Sequence, residues 1–536
     1  MKLFTFNLVV RPTSSFFLGS ILLLLAGPLE LHANWPQASG PNANWKVEGS
    51  APTKWSVVRN ENVLWRAPMP ECGQSAVTVW GDRVFVTIHQ PIKTFEERFV
   101  GGNVIGYCLD AKTGKTLWTV KLPGTQTMEL ACGFSDATVF APVTDGKHVW
   151  FFNRCGSMGC YDFSGKEVWL RVYKMRFRHS ARMCEPVLIN GQILNVEVQD
   201  KETGSLITKF VPGTSKAKKA TIPKGIDQRT VWTYLHGIDA KTGKVLWREK
   251  VGTSIHNNPM VSTLADGRPA IVHARGGGHG PLEKPYGVSL TSLAPGEEGN
   301  TLWSTPLDGY DPPFNSHWNS REVYGFHNGS HFSLDADTGK ELRRHPLYEA
   351  ADLWAWDRAK NDWFFQGDVE LKTGKKHPMT YQTNILVGKW HWFLAHGKPY
   401  VGRIQVETGK VEYLEVPAQL EVTQKTSIRH WGKGLKNHPT NAAGFAIGRK
   451  GHTGTGFGHI SAGSPILVGQ HLFFPVVTGT VYVIDSTVEQ LNPKALVAVN
   501  DLGPARETWT LSSFSFSQGH LYMHTMREVI CIGRRP

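Results

Sequence analysis

Long stretches with the three- and four-residue apolar spacing of an amphipathic helix are missing from this chain, which argues against a helical fold. Long hydrophobic runs are also scarce. The one apolar run, Phe16 to Gly27, follows Lys2 and Arg11 and is short for a membrane span, which needs about 20 residues. It reads as a signal peptide over residues 1–33, with Leu31 to Ala33 as a possible cleavage site, and it leaves no transmembrane span. No cysteine lies nearby to form a lipobox, so the expected location is periplasmic or secreted without a lipid anchor. Acidic residues are outnumbered, 45 against 58 Lys and Arg, for a net charge of +13. Outside the cytoplasm that charge favours acidic surfaces such as anionic polysaccharide, and nucleic acid is not expected. The seven cysteines include no adjacent pair, and Cys155 and Cys160 lack a second pair at zinc-site spacing. Seven is odd, so at least one thiol stays free or pairs outside the chain.

What is present is glycine (55), proline (31), tryptophan (19) and a repeated phrase. LDAKTGKTLWTV (Leu109 to Val120) returns at Ile238 to Glu249 and again at Leu334 to His345. An apolar residue runs into Asp, then Thr-Gly-Lys, then a second apolar stretch. Asp and Thr can bond the turn backbone, and Gly accepts the positive φ that closes it. The phrase is a β-hairpin, and paired strands precede each copy. Degenerate copies turn at Gly165, Gly299 and Gly409, and another ends at Asp485. The tail, Thr508 to Gly533, supplies three strands and lacks an outer one, while Val63 to Ala67 resembles the strand that follows the other turns.

The economical arrangement is all-β: an eight-bladed β-propeller of four-stranded antiparallel blades, closed by pairing the N-terminal strand with the C-terminal sheet. Seven blades is the alternative, because DKETG (Asp200 to Gly204) and LKTGK (Leu371 to Lys375) share the turn chemistry without a full blade. Residues 34–60 form an irregular lead-in and 61–536 the single propeller domain. Leu347 to Phe365 reads as a short helix or a surface loop. Trp118, Trp169, Trp247 and Trp303 are expected to pack between blades.

These hairpins resemble the pyrroloquinoline quinone (PQQ)-like propeller repeat family. That family includes quinoprotein alcohol dehydrogenases, which hold PQQ and calcium in the central funnel, and BamB-type assembly factors, which are scaffolds without a cofactor. The resemblance to the dehydrogenases implies calcium ligands at Glu185 and Asn258, with Asp311 as the base. Against that reading, the chain has no adjacent cysteine pair and no haem attachment motif. Against a direct BamB equivalent, it has no anchoring cysteine. Among its 22 histidines, His179, His256, His317 and His459 precede inner strands, beside Arg178, Arg182 and Trp318. Such a set could line the funnel mouth and bind an anionic sugar.

The leading expectation is a monomeric binding or assembly scaffold of the cell envelope, with envelope proteins or anionic polysaccharide as partners and no cofactor. The first alternative is a PQQ- and calcium-dependent alcohol or sugar dehydrogenase, and the second a glycan-active lyase or hydrolase.

Overall fold

A computed structural model describes residues 34–71, 73–91, 102–124, 139–153, 156–173, 185–200, 231–250, 260–275, 287–307, 315–371, 383–395, 398–436, 440 and 463–534. These residues fold into eight sheets, each built on four antiparallel strands, set around an axis as an eight-bladed propeller. Blade 1 comprises Thr78–Trp80, Arg83–His89, Val104–Asp110 and Thr116–Leu122. Blade 2 begins at Val143–Thr144, blade 3 at Val187–Ile189, blade 4 at Met260–Thr263 and blade 5 at His317–Trp318. Blade 6 begins at Asn384–Val387, blade 7 at Ile466–Val468 and blade 8 at Ser515–Ser517. Blade 8 takes its fourth strand from the head of the chain. Val63–Pro68 lies antiparallel to Glu528–Ile532, with Val63 opposite Ile532 and Pro68 opposite Glu528. No open sheet edge is left at the joint.

The repeated phrase sets each outer hairpin by side-chain hydrogen bonds. Asp110 Oδ1 accepts from the Thr113 amide at 2.8 Å and its hydroxyl at 2.7 Å. Asp239 with Thr242 and Asp335 with Thr338 repeat the pattern. Each of these carboxyls is held below its ordinary pKa, first by the threonine hydroxyl bond.

The tryptophans join one blade to the next. The indole N–H of Trp118 donates to Phe163 O, that of Trp169 to Ala240 O and that of Trp303 to Ala336 O. Each of those carbonyls follows the turn Asp of the following blade. Trp247 packs instead by its ring, over Gly299 of blade 4, and bonds Gln192 of its own blade. Trp65 completes the circle by donating to Ala111 O of blade 1. Between blades 5 and 6 an arginine takes the tryptophan's place: Arg343 Nε donates to Val406 O and pairs with Glu322.

Two segments differ from the sequence expectation. Leu347 to Phe365 is neither helix nor loop. Ala351–Asp357 pairs parallel with the outer strand of blade 6, Val411–Glu415, and Asp362–Val369 pairs antiparallel with Ala351–Asp357, so blade 6 has six strands. The aromatic stretches LWAWD and DWFFQ about Lys360-Asn361 suit paired strands, and Asn361 turns at φ 54°. The lead-in carries a short strand, Lys46–Val47, and is packed inside the ring. Among the described residues no helix is long and apolar enough to cross a membrane.

Candidate functional site

The first strands of neighbouring blades face the axis, and the lead-in occupies the channel they enclose. Trp35 bridges Val79 of blade 1, Pro36 O accepts from Thr144 of blade 2, and the Gln37 side chain accepts from Leu188 of blade 3. The Trp45 ring lies 6.5 Å from that of His317 in blade 5. Lys46–Val47 then adds a parallel strand to Ile466–Val468 of blade 7. Asn34 Oδ1 accepts from Gly81, and Gly469 donates to Val47 O, so both ends of the segment meet the turns that follow the first strands. The channel is therefore filled at that end.

Beside the segment, three buried histidines join blades 5 and 6. His317 Nε2 lies 3.1 Å from Asn384 O, and a carbonyl only accepts, so that nitrogen carries the proton. His391 Nε2 meets Asn384 Oδ1 at 3.0 Å, which leaves its Nδ1 bare to accept from His331 Nε2 at 3.1 Å. All three rings are neutral. Burial lowers His317 and His331 to about 3, with the Lys46 charge adding to the effect at His317.

Of the residues the sequence singled out, three lie among the described ones. His317 and Trp318 are buried on the first strand of blade 5, and the Trp318 indole donates to Met260 O of blade 4. This is a role in joining blades. Glu185 stands just ahead of the first strand of blade 3, and one carboxylate oxygen accepts from the Ala141 amide at 2.8 Å. Arg178, His179, Arg182, His256, Asn258, Asp311 and His459 lie outside the described residues. Calcium takes roughly six to eight oxygens. The described residues do not fit that demand by themselves: among them no three His, Cys, Asp or Glu side chains converge on a metal position. The described cysteines Cys108, Cys160 and Cys531 are buried thiols, each raised by burial to about 12.

Sequence reasoning missed a second surface, on the outside of blade 6. The added hairpin is fixed by Trp356 N donating to Glu415 Oε2 at 3.0 Å and the Trp363 indole donating to Glu415 O at 2.9 Å. Trp356 stacks on Trp431 with centroids 3.9 Å apart, and Trp363 stands edge-on to both. On the same hairpin, Phe364 is 39% and Phe365 45% exposed on a strand that pairs on one side only. Sidedness of this kind offers backbone groups and aromatic surface together.

Comparison with known proteins agrees with the fold. A family model described as outer membrane protein assembly factor BamB matches residues 195–369. No curated protein matches the chain. Among solved structures, quinohemoprotein alcohol dehydrogenase from Comamonas testosteroni aligns with 94% of this chain and 81% of its own, at 11% identity and a TM-score of 0.50. A europium-containing methanol dehydrogenase aligns with 92% of this chain and 89% of its own, at 10% identity and a TM-score of 0.50. BamB from Moraxella catarrhalis aligns over 88% and 83%, at 12% identity and a TM-score of 0.34. In its turn repeats, its eight blades and the matched segment, the chain is similar to PQQ-like β-propeller repeat proteins.

Proposed function

We propose that this propeller is an exported binding scaffold of the cell envelope, and that it holds a protein partner on the outer edge of blade 6. The observation that carries the reading is the added hairpin. Nothing in the closure of an eight-bladed ring requires two further strands on one blade, yet these are anchored by three tryptophans. Rigid aromatic side chains at an exposed edge give contact area at low entropic cost, which suits recognition of a partner. Export rests on the first 33 residues of the sequence, read as a signal peptide.

The test is photo-crosslinking in the cells that make the protein. A crosslinking amino acid at Phe365 is expected to give one discrete adduct, and the same group at exposed Leu117 of blade 1 none. With the crosslinking group kept at position 365, Phe364→Asp should abolish the adduct and leave the melting temperature within a few degrees, since the Phe364 ring is exposed. The scaffold reading fails if Phe365 gives no adduct while the purified protein binds PQQ with calcium and reduces a dye in the presence of alcohol.

A further inference from the structure

Among the described residues, the segment that fills the channel carries a cation without a counter-charge. Elsewhere the ring supplies an acid to the cations it covers. Arg403 is wholly buried and held by Glu412 and by the carbonyls of Val488 and Glu489, and Arg343 is partly buried and held by Glu322. Lys46 is half-buried and has no acid within ion-pair distance among the described residues. Its charge is felt by His317 and His391, both fully buried. Neither can answer it, because both rings are neutral and their Nε2 protons are spent on Asn384. Burial lowers the pKa of Lys46 itself, as expected for an ammonium short of both water and acid. Its neighbour Trp45, against the His317 ring, keeps a buried indole N–H with no acceptor among the described residues. Donors outnumber acceptors at this place, and buried donors are normally satisfied.

We propose that the channel segment is the floor of a ligand site, and that Lys46 is the cation that recognises a compact oxyanion there. The two sources of that chemistry are a small carboxylic acid and free phosphate. With the lead-in closing one end of the channel, the ligand enters from the other. The site is separate from the edge of blade 6, so it stands or falls independently of partner binding.

Competitive amine labelling of the folded full-length protein, followed by peptide mass spectrometry, tests this. Lys46 modification should slow saturably with succinate, acetate or inorganic phosphate, and the better competitor identifies the source. At ten times the Kd the slowing should reach about tenfold. Exposed Lys54 should be unaffected. Lys46→Gln should lose the calorimetric signal with the same competitor and keep its melting temperature, and Lys46→Arg should retain part of the signal. The proposal is overturned if none of the anions protects Lys46, or if potassium chloride at matched ionic strength protects it equally.

Discussion

At Asp501 the ring buries a carboxylate to hold the lead-in. Its Oδ1 accepts from Val58 N at 2.9 Å and Gly503 N at 3.2 Å, while the adjacent Asn500 side chain bonds Trp55 N and Thr53 O. The other oxygen, Oδ2, is buried without a partner among the described residues, and burial raises the pKa of the group. A carboxyl with a raised folded pKa binds its proton more tightly in the folded chain. Its contribution to stability is full below the ordinary carboxylate range and is lost as pH rises through the elevated folded value. Asp501→Asn keeps the accepting oxygen and removes the buried charge. It should raise stability at neutral pH by about 1 kcal/mol and flatten the melting temperature against pH above the carboxylate range. Asp501→Leu removes both amide contacts and should cost about 1–3 kcal/mol at every pH. Equal pH profiles for wild type and Asp501→Asn would show that the carboxylate carries no such penalty.

At the scale of one hairpin, the turn glycine does two jobs that substitution can separate. Gly114 turns at φ +70°, and a Cβ there would meet the Trp65 ring at 2.5 Å. Gly267 turns at φ +87° with nothing within 4 Å. Gly267→Ala should therefore cost only backbone strain, about 1 kcal/mol. Gly114→Ala must also displace Trp65 from the joint between blades 8 and 1, and about 3 kcal/mol or more is expected by denaturant unfolding. The turns were legible in the sequence because Asp, Thr and Gly act locally, each through its own backbone. The same holds for Val63 to Ala67, whose pattern matched a missing fourth strand. The hairpin at Ala351–Val369 was not legible, because its aromatic residues suit a strand, a loop or a helix face and its partner is a strand some 60 residues away. The lead-in hid for a different reason. Trp35 and Trp45 bracket a glycine- and proline-bearing stretch with no repeat period, and only the ring it enters gives it a place. His317 and Trp318 were expected ahead of an inner strand at the funnel mouth and instead lie on that strand, buried, since burial there is set by neighbouring blades and the lead-in.

For the whole molecule, the head of the chain does two separable things: it closes the ring and it fills the channel. Val63–Pro68 covers Glu528–Ile532, where four of five residues are buried, and Arg66 forks onto Glu528 with both bonds at 2.7 Å. The ion pair is exposed on the arginine side and contributes little, so the closure rests on the backbone ladder and on Val63, Trp65 and Ala67 packing inward. A chain that begins at Ser50 keeps this strand and loses the channel segment. It should keep the oligomeric state of the full chain and fold cooperatively, at a lower melting temperature, because Trp35 and Trp45 no longer fill the interior. A chain that begins at Pro70 loses the strand as well. It bares the apolar edge at Glu528–Ile532, and such an edge pairs with other chains. Light scattering should then find oligomers, and a synthetic peptide spanning residues 61–70 added in trans should return the protein to monomer. If the shorter chain stays monomeric without the peptide, the pairing of head and tail is not what holds the circle shut.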